Sequence, residues 1–176
     1  MPANAGSLLA VVGSGARAWR LAASIADELD IDPTTIAHAS IAPTSELAGP
    51  PPGGTVVRSA REAAIMAPTW RGPRVALVSV DAPLTGGHRT WARHVLTALR
   101  PTAIWGVVDA YHKVEDVLAW ADNIGGVEAL AVEHLDDTVS PGAVLAAGLP
   151  VVRLDGHRAT PARWAVTIGE AVARCA

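Results

Sequence analysis

Short apolar runs alternate along this chain with stretches where apolar residues recur every three or four positions. The first run, Leu8–Val12, stops at Gly13-Ser14-Gly15, and a helix is expected from about Ala16 to Leu29. A shorter strand is expected over Thr35–Ala39. The cluster Gly49-Pro-Pro-Pro-Gly-Gly54 can continue neither element, so it reads as a turn-rich excursion. Thr55–Val57 reads as a strand, and a helix follows around Ser59–Ala67, with Ser59 as N-cap and Glu62 three residues on. Arg74–Val80 is the clearest buried strand; it ends at Asp81 and gives way to the loop Ala82–Gly87. Trp91, Val95, Leu96 and Leu99 mark the buried face of the next helix, which Pro101 breaks. Ala103–Val108 forms a strand ending at Asp109. Val114, Val117, Leu118, Ala121 and Ile124 stripe the following helix, closed by Gly125-Gly126. A strand over Val127–Val132, a short helix over Gly142–Ala147, a strand over Val151–Leu154 and a helix over Thr160–Arg174 complete the pattern. Strands joined by helices run parallel with helices on both faces, so the pattern predicts a three-layer α/β fold with a mostly parallel sheet.

Composition narrows this further. The length of 176 residues fits one domain spanning 1–176, and half of the residues are hydrophobic, enough for a sizeable core. The net charge is only −3 and the two signs are interspersed, so neither nucleic acid nor an anionic membrane surface is an expected partner. The N-terminal apolar run lacks a cationic flank and is interrupted at Gly13-Ser14-Gly15. Neither a signal peptide nor a membrane span is expected there, which points to the cytoplasm. Cys175 stands alone, excluding a disulfide framework and a cysteine metal site. The six histidines show no HExxH-like spacing, so no metal is expected. A single lysine, Lys113, and no phenylalanine beside abundant Ala, Val, Arg, Gly and Pro reads as a GC-rich bacterial genome.

Ligands of open parallel sheets bind beyond the carboxyl ends of the strands. Gly13-Ser14-Gly15, His38-Ala-Ser40, Asp81, Asp109, Glu133–Asp137 and Asp155-Gly156-His157 all fall at such ends. Each taken alone also fits an ordinary strand-ending turn, which favours Asp and Gly. Their order resembles the signal-recognition-particle-type GTPases, especially the flagellar branch, from about Leu8 to Trp164. Val11–Ala23 looks like the first strand, P-loop and first helix, and His38–Leu47 stands where the family has its insertion loop. Val56–Ala64 resembles the short strand and helix before the Walker B strand, and Val75–Pro83 is similar to that strand and its DTAGR motif. Leu99–Pro101 and Trp105–Ala110 look like the strand ending in "DA". Leu130–Asp136 occupies the place of the guanine-reading TKxD motif, and Gly148–Gly156 resembles the closing strand and loop.

The departures matter more. A working GxxxxGK[ST] loop wraps phosphates with backbone N–H groups, reaches them with Lys and holds Mg²⁺ through a hydroxyl. Counted from Gly13, the GK[ST] positions hold Ala18, Trp19 and Arg20, and Lys113 lies on another element. Arg20 is the cation that could substitute, and Trp19 with Arg20 is expected to fill the space of the phosphates. Asp81 keeps the Walker B position, but Ala82-Pro83 replaces the start of TAG, with Gly86 and Gly87 soon after. Asp136 keeps the base-reading carboxylate, His134 replaces the lysine that packs over guanine, and Gly156 marks the closing loop. The resemblance therefore implies a degenerate, non-catalytic GTPase-like domain with weak or no GTP or GDP binding. It also implies a protein partner or a second copy docking on the nucleotide-site face, which includes Asp109, His112 and Lys113. Gly13–Ala18 also fits the GxGxxA dinucleotide fingerprint. No acid ends the second strand, so a Rossmann-type reading would take NADP(H), with Ser40 near the extra phosphate, or another small phosphorylated ligand.

Overall fold

The computed structural model describes residues 5–41 and 54–175. The expected insertion loop beyond Ile41 and most of the Pro/Gly cluster lie outside the described residues. Eight strands are present among these residues: β1 (Leu8–Gly13), β2 (Ala37–Ala39), β3 (Val56–Val57), β4 (Ala76–Asp81), β5 (Ala103–Asp109), β6 (Ala129–Glu133), β7 (Val151–Leu154) and β8 (His157–Arg158). They form one sheet in the order β3-β2-β4-β1-β5-β6-β7-β8. Every pair is parallel except β7–β8, which is antiparallel. The helices are α1 (Gly15–Glu28), α2 (Ala60–Trp70), α3 (Arg89–Leu99), α4 (Val114–Ile124) and α5 (Pro161–Cys175).

β1 is buried over its whole length, as a central parallel strand covered on both faces must be. Its alternate residues enter two cores. Leu8, Ala10 and Val12 join the α2, α3 and α4 side, and Leu9 and Val11 join the α1 side. Trp120 is the largest fully buried side chain; its indole N–H donates to Ala82 O at 3.0 Å, tying α4 to the end of β4. At the N-terminus of α2, the Ser59 hydroxyl accepts from Glu62 N–H at 3.2 Å as the sequence predicts. Glu62 turns back onto Arg58 N–H at 2.7 Å.

Several elements differ from their expected form. Thr35 belongs to a 3₁₀ turn over Pro33–Thr35, so β2 shortens to Ala37–Ala39; Asp32 caps that turn through Thr34 N–H. The expected helix near Gly142 is a 3₁₀ segment, Pro141–Ala147. β4 and β6 start two residues later than their apolar runs. The helix α2 runs on through Pro68 to Trp70, and the edge strand β8 has no apolar run to announce it. No described helix is long and apolar enough to cross a membrane.

Candidate functional site

The strand ends expected to carry chemistry do converge, at the carboxyl edge of β1, β4, β5, β6 and β7. The junction of β1 and α1 decides what can bind there. β1 ends at Gly13 and α1 begins at Gly15, leaving Ser14 alone between strand and helix. A phosphate-wrapping loop needs a run of residues at that point to present its N–H groups inward. One residue cannot form that concave nest. Gly13 is needed for packing, because a Cβ there would meet the Val107 Cβ at 3.0 Å.

The first free N–H of α1 is already taken. Gly15 N–H donates to Asp81 Oδ1 at 2.8 Å, and the Ser40 hydroxyl donates to Asp81 Oδ2 at 2.9 Å. A carboxylate at a helix N-terminus is stabilised by the orphan donors and the positive end of the dipole. Asp81 thus stands where an incoming anion would be held. Ser14 is the N-cap but its side chain makes no capping bond.

The structure corrects one expectation about this mouth. Trp19 does not fill phosphate space: it is 8% exposed, in the same core cluster as Leu9, Val11, Trp105 and Val107. Ala18, Trp19, Ala22, Ile25 and Ala26 form the buried stripe of α1, a spacing readable in the sequence. Arg20, one position on, is exposed and turned toward β6 and β7.

A second cluster spans β5 and β6. The Arg17 guanidinium, in the first turn of α1, donates to Asp109 Oδ1 and stands 3.7 Å from Glu133. His134 Nδ1 lies 2.5 Å from the same Asp109 oxygen, and His112 Nε2 lies 3.6 Å from the other. Asp109 N–H donates to His112 Nδ1 at 3.1 Å, so the neutral His112 carries its proton on Nε2. Burial raises the Asp109 pKa, but the hydrogen bonds from His134 and Tyr111 and the charge of Arg17 outweigh it and hold the group below 3.8. Burial wins at Glu133, whose pKa is raised above 4.5 despite Arg17. Asp109, Glu133 and His134 bring ligand atoms within 4.8 Å of one another, a grouping that no sequence spacing announced. Arg17 already bonds one of these acids and stands by another, so the cation they call for comes from the chain itself.

The remaining positions disperse. Asp136 is exposed and pairs with Arg174 of α5 at 3.1 Å. It is Asp155 that holds the β6 end, accepting from His134 N–H at 2.7 Å and Leu135 N–H at 3.4 Å. His134 is fixed in the left-handed region at φ 58°, and Gly156 lies on the open turn after β7. Gly86 and Gly87 lie exposed on the loop after β4, and Lys113 is the exposed N-cap of α4. Sequence reasoning missed Arg17 as a site residue. Nothing local marks it, since its partner is 92 positions away.

No protein-family model matches the chain, and no curated protein matches it in sequence. Solved structures do. The chain superposes on chloroplast FtsY from Physcomitrella patens with a TM-score of 0.56 at 18% identity, covering 94% of this chain and 64% of that one. On the signal recognition particle 54 kDa protein from Aeropyrum pernix, solved in complex with GDP, the TM-score is 0.65 at 16% identity, covering 98% and 49%. On FlhF complexed with GMPPNP and Mg²⁺ it is 0.52 at 15% identity, covering 93% and 74%. The chain spans about half to two-thirds of the length of the first two.

Proposed function

We infer, from a fold shared with the signal-recognition-particle-type GTPases, that this chain is a non-catalytic GTPase-like domain that acts through protein contacts and binds guanine nucleotide weakly or not at all. The observation that carries this reading is the Asp81 carboxylate on Gly15 N–H, at the start of a helix separated from β1 by Ser14 alone. A nucleotide's phosphates would meet a fixed negative charge where they need donors. Phosphoryl transfer is catalysed by positioning and by neutralising charge on the transferred group. Here the nearest cation, Arg17, is held by Asp109, and no lysine or hydroxyl stands at the GK[ST] positions to replace it.

The same contact weighs against a Rossmann-type NADP(H) site, which also needs the first N–H groups of α1 for a pyrophosphate. The contact face proposed for a partner or a second copy is the strand-end surface. There Tyr111 is 51% exposed between the ion cluster and the exposed Lys113. Isothermal titration with GTP and with GDP, each with Mg²⁺, tests the reading. No saturable heat at micromolar protein and no phosphate release are expected; a Kd below about 1 μM with turnover overturns it.

A further inference from the structure

α5 is attached to the rest of the domain by one narrow side. Its one fully buried residue is Ala171, and Trp164 and Thr167 are half-buried. Ile168 reaches the 3₁₀ segment Pro141–Ala147, lying 3.7 Å from where a Cβ on Gly142 would stand. Arg174 ties the last turn to Asp136. The opposite side is apolar as well and lies open to solvent: Val166 is 59% exposed and Val172 65%. Ala162, Ala165, Gly169 and Ala173 are exposed with them, at the three- and four-residue spacing that puts all six on one face. An apolar helix face costs free energy in water, and contiguous exposed apolar surface marks an interface.

The charges bordering this stripe decide what covers it. Arg163 and Glu170 are both exposed on its edge, and neither side chain has a hydrogen bond or ion pair among the described residues. They stand two turns apart, about 10 Å along the axis, too far to pair within one helix. On two antiparallel copies they meet. We propose that a second copy of this chain docks on α5, forming a two-fold symmetric, antiparallel helix pair. With the axis level with Thr167 and Ile168, Val166 packs into the space beside Gly169 of the second copy, Val172 covers Ala165, and Ala162 meets Ala173. The same register sets Arg163 beside Glu170 of the second copy, and symmetry makes every contact twice. A parallel pair gives Glu170 only Ala165 to face, so the charges select the antiparallel arrangement. The 15 residues of α5 make a helix about 22 Å long. A seam of that length buries less than about 1,200 Å² in total, the range of weak, reversible complexes. The pair uses none of the side chains placed on the strand-end surface, so it stands or falls apart from the proposed function.

Sedimentation equilibrium of the full chain, from about 1 to 500 μM, tests it, and a reversible monomer–dimer equilibrium is expected within that range. Val166→Asp and Val172→Asp, both at exposed positions, should keep the circular dichroism spectrum and urea midpoint of the parent. Each should raise the dissociation constant at least tenfold, since each change enters the seam twice. Arg163→Glu alone should weaken the dimer about three- to tenfold. Arg163→Glu combined with Glu170→Arg should return it to the parent value, which a merely apolar association would not do. A chain monomeric throughout the range leaves this face to a different protein and overturns the proposal. A dimer that both aspartates leave intact lies on another face, such as the strand-end surface; that overturns the α5 pair and agrees with the proposed function. Charge reversals that fail to compensate overturn the antiparallel pair.

Discussion

His38 is wholly buried, with Nδ1 2.7 Å from the Ser79 hydroxyl and Nε2 without a hydrogen-bond partner among the described residues. Burial pushes its pKa below 6.5, the nearby Asp81 charge opposing only in part. The folded chain thus binds a proton less readily than the unfolded one. Its contribution to stability is complete above pH 6.5 and is lost as pH falls below 6.5 toward the lowered folded value. Urea unfolding across that interval should show a falling midpoint in the parent, and a flatter profile in His38→Leu. Asp109 and Glu133 act lower on the scale and with opposite sign. Asp109 is held below 3.8, so its contribution persists above that value and disappears as pH falls through the folded one. Glu133, raised above 4.5, penalises the fold at neutral pH and regains stability as pH falls through its raised value. Asp109→Asn should cost roughly 2–3 kcal/mol at neutral pH, because Arg17 and His134 lose their shared acceptor in a partly buried site. Chemical denaturation measures the loss.

At the scale of elements, the junction of β1, β4 and α1 is a helix capped from a neighbouring strand. Asp81 reaches Gly15 N–H across 66 positions, doing from β4 what an N-cap side chain ordinarily does locally. Asp81→Ala should lower stability by about 1–2 kcal/mol through the lost charge-assisted bond and dipole interaction. Added phosphate should recover part of that loss in the variant and leave the parent unmoved, as thermal melts would show. An equal response in both chains would mean that the helix end is open in the parent. The β5–α4 contact is a second such element. A Cβ on Gly106 would lie 2.8 Å from the Trp120 ring, whose N–H is already committed to Ala82 O. Gly106→Ala should therefore cost about 1–3 kcal/mol by overpacking, read from the denaturation midpoint.

For the whole molecule, the sheet order places β1 between β4 and β5, where the connections leave in opposite directions. This is the switch point at which a doubly wound sheet opens a crevice. Here the ends of β5 and β6 and the first turn of α1 are laced together by Arg17, Asp109, Glu133 and His134. A second tie closes the other end of α1. The buried Arg153 of β7 makes a two-pronged pair with Glu28 at 2.5 and 2.8 Å, and the pairing lowers the Glu28 pKa. Glu28→Gln should lower the unfolding midpoint, because the almost fully buried Arg153 keeps its charge and loses its partner. The same substitution should leave the His134 ring signals in nitrogen-15 NMR in place, since the Arg153 pair and the His134 cluster use different side chains.

The alternation of apolar runs and helical stripes was enough to specify the layers, the parallel sheet and nearly every element, since burial on two faces or on one stripe writes itself into local spacing. The missing lysine and hydroxyl were likewise local facts, visible by counting from Gly13. The burial of Trp19 was legible too, in the spacing Ala18, Trp19, Ala22, Ile25 and Ala26, but the resemblance drew attention to its place in the motif instead. What no local pattern could specify was the partnership of Arg17 with Asp109, of Asp81 with Gly15, or of Asp155 with His134. Those contacts join residues 92, 66 and 21 positions apart. They exist because parallel pairing brings the carboxyl ends of successive strands side by side, and only the folded sheet determines which charge meets which.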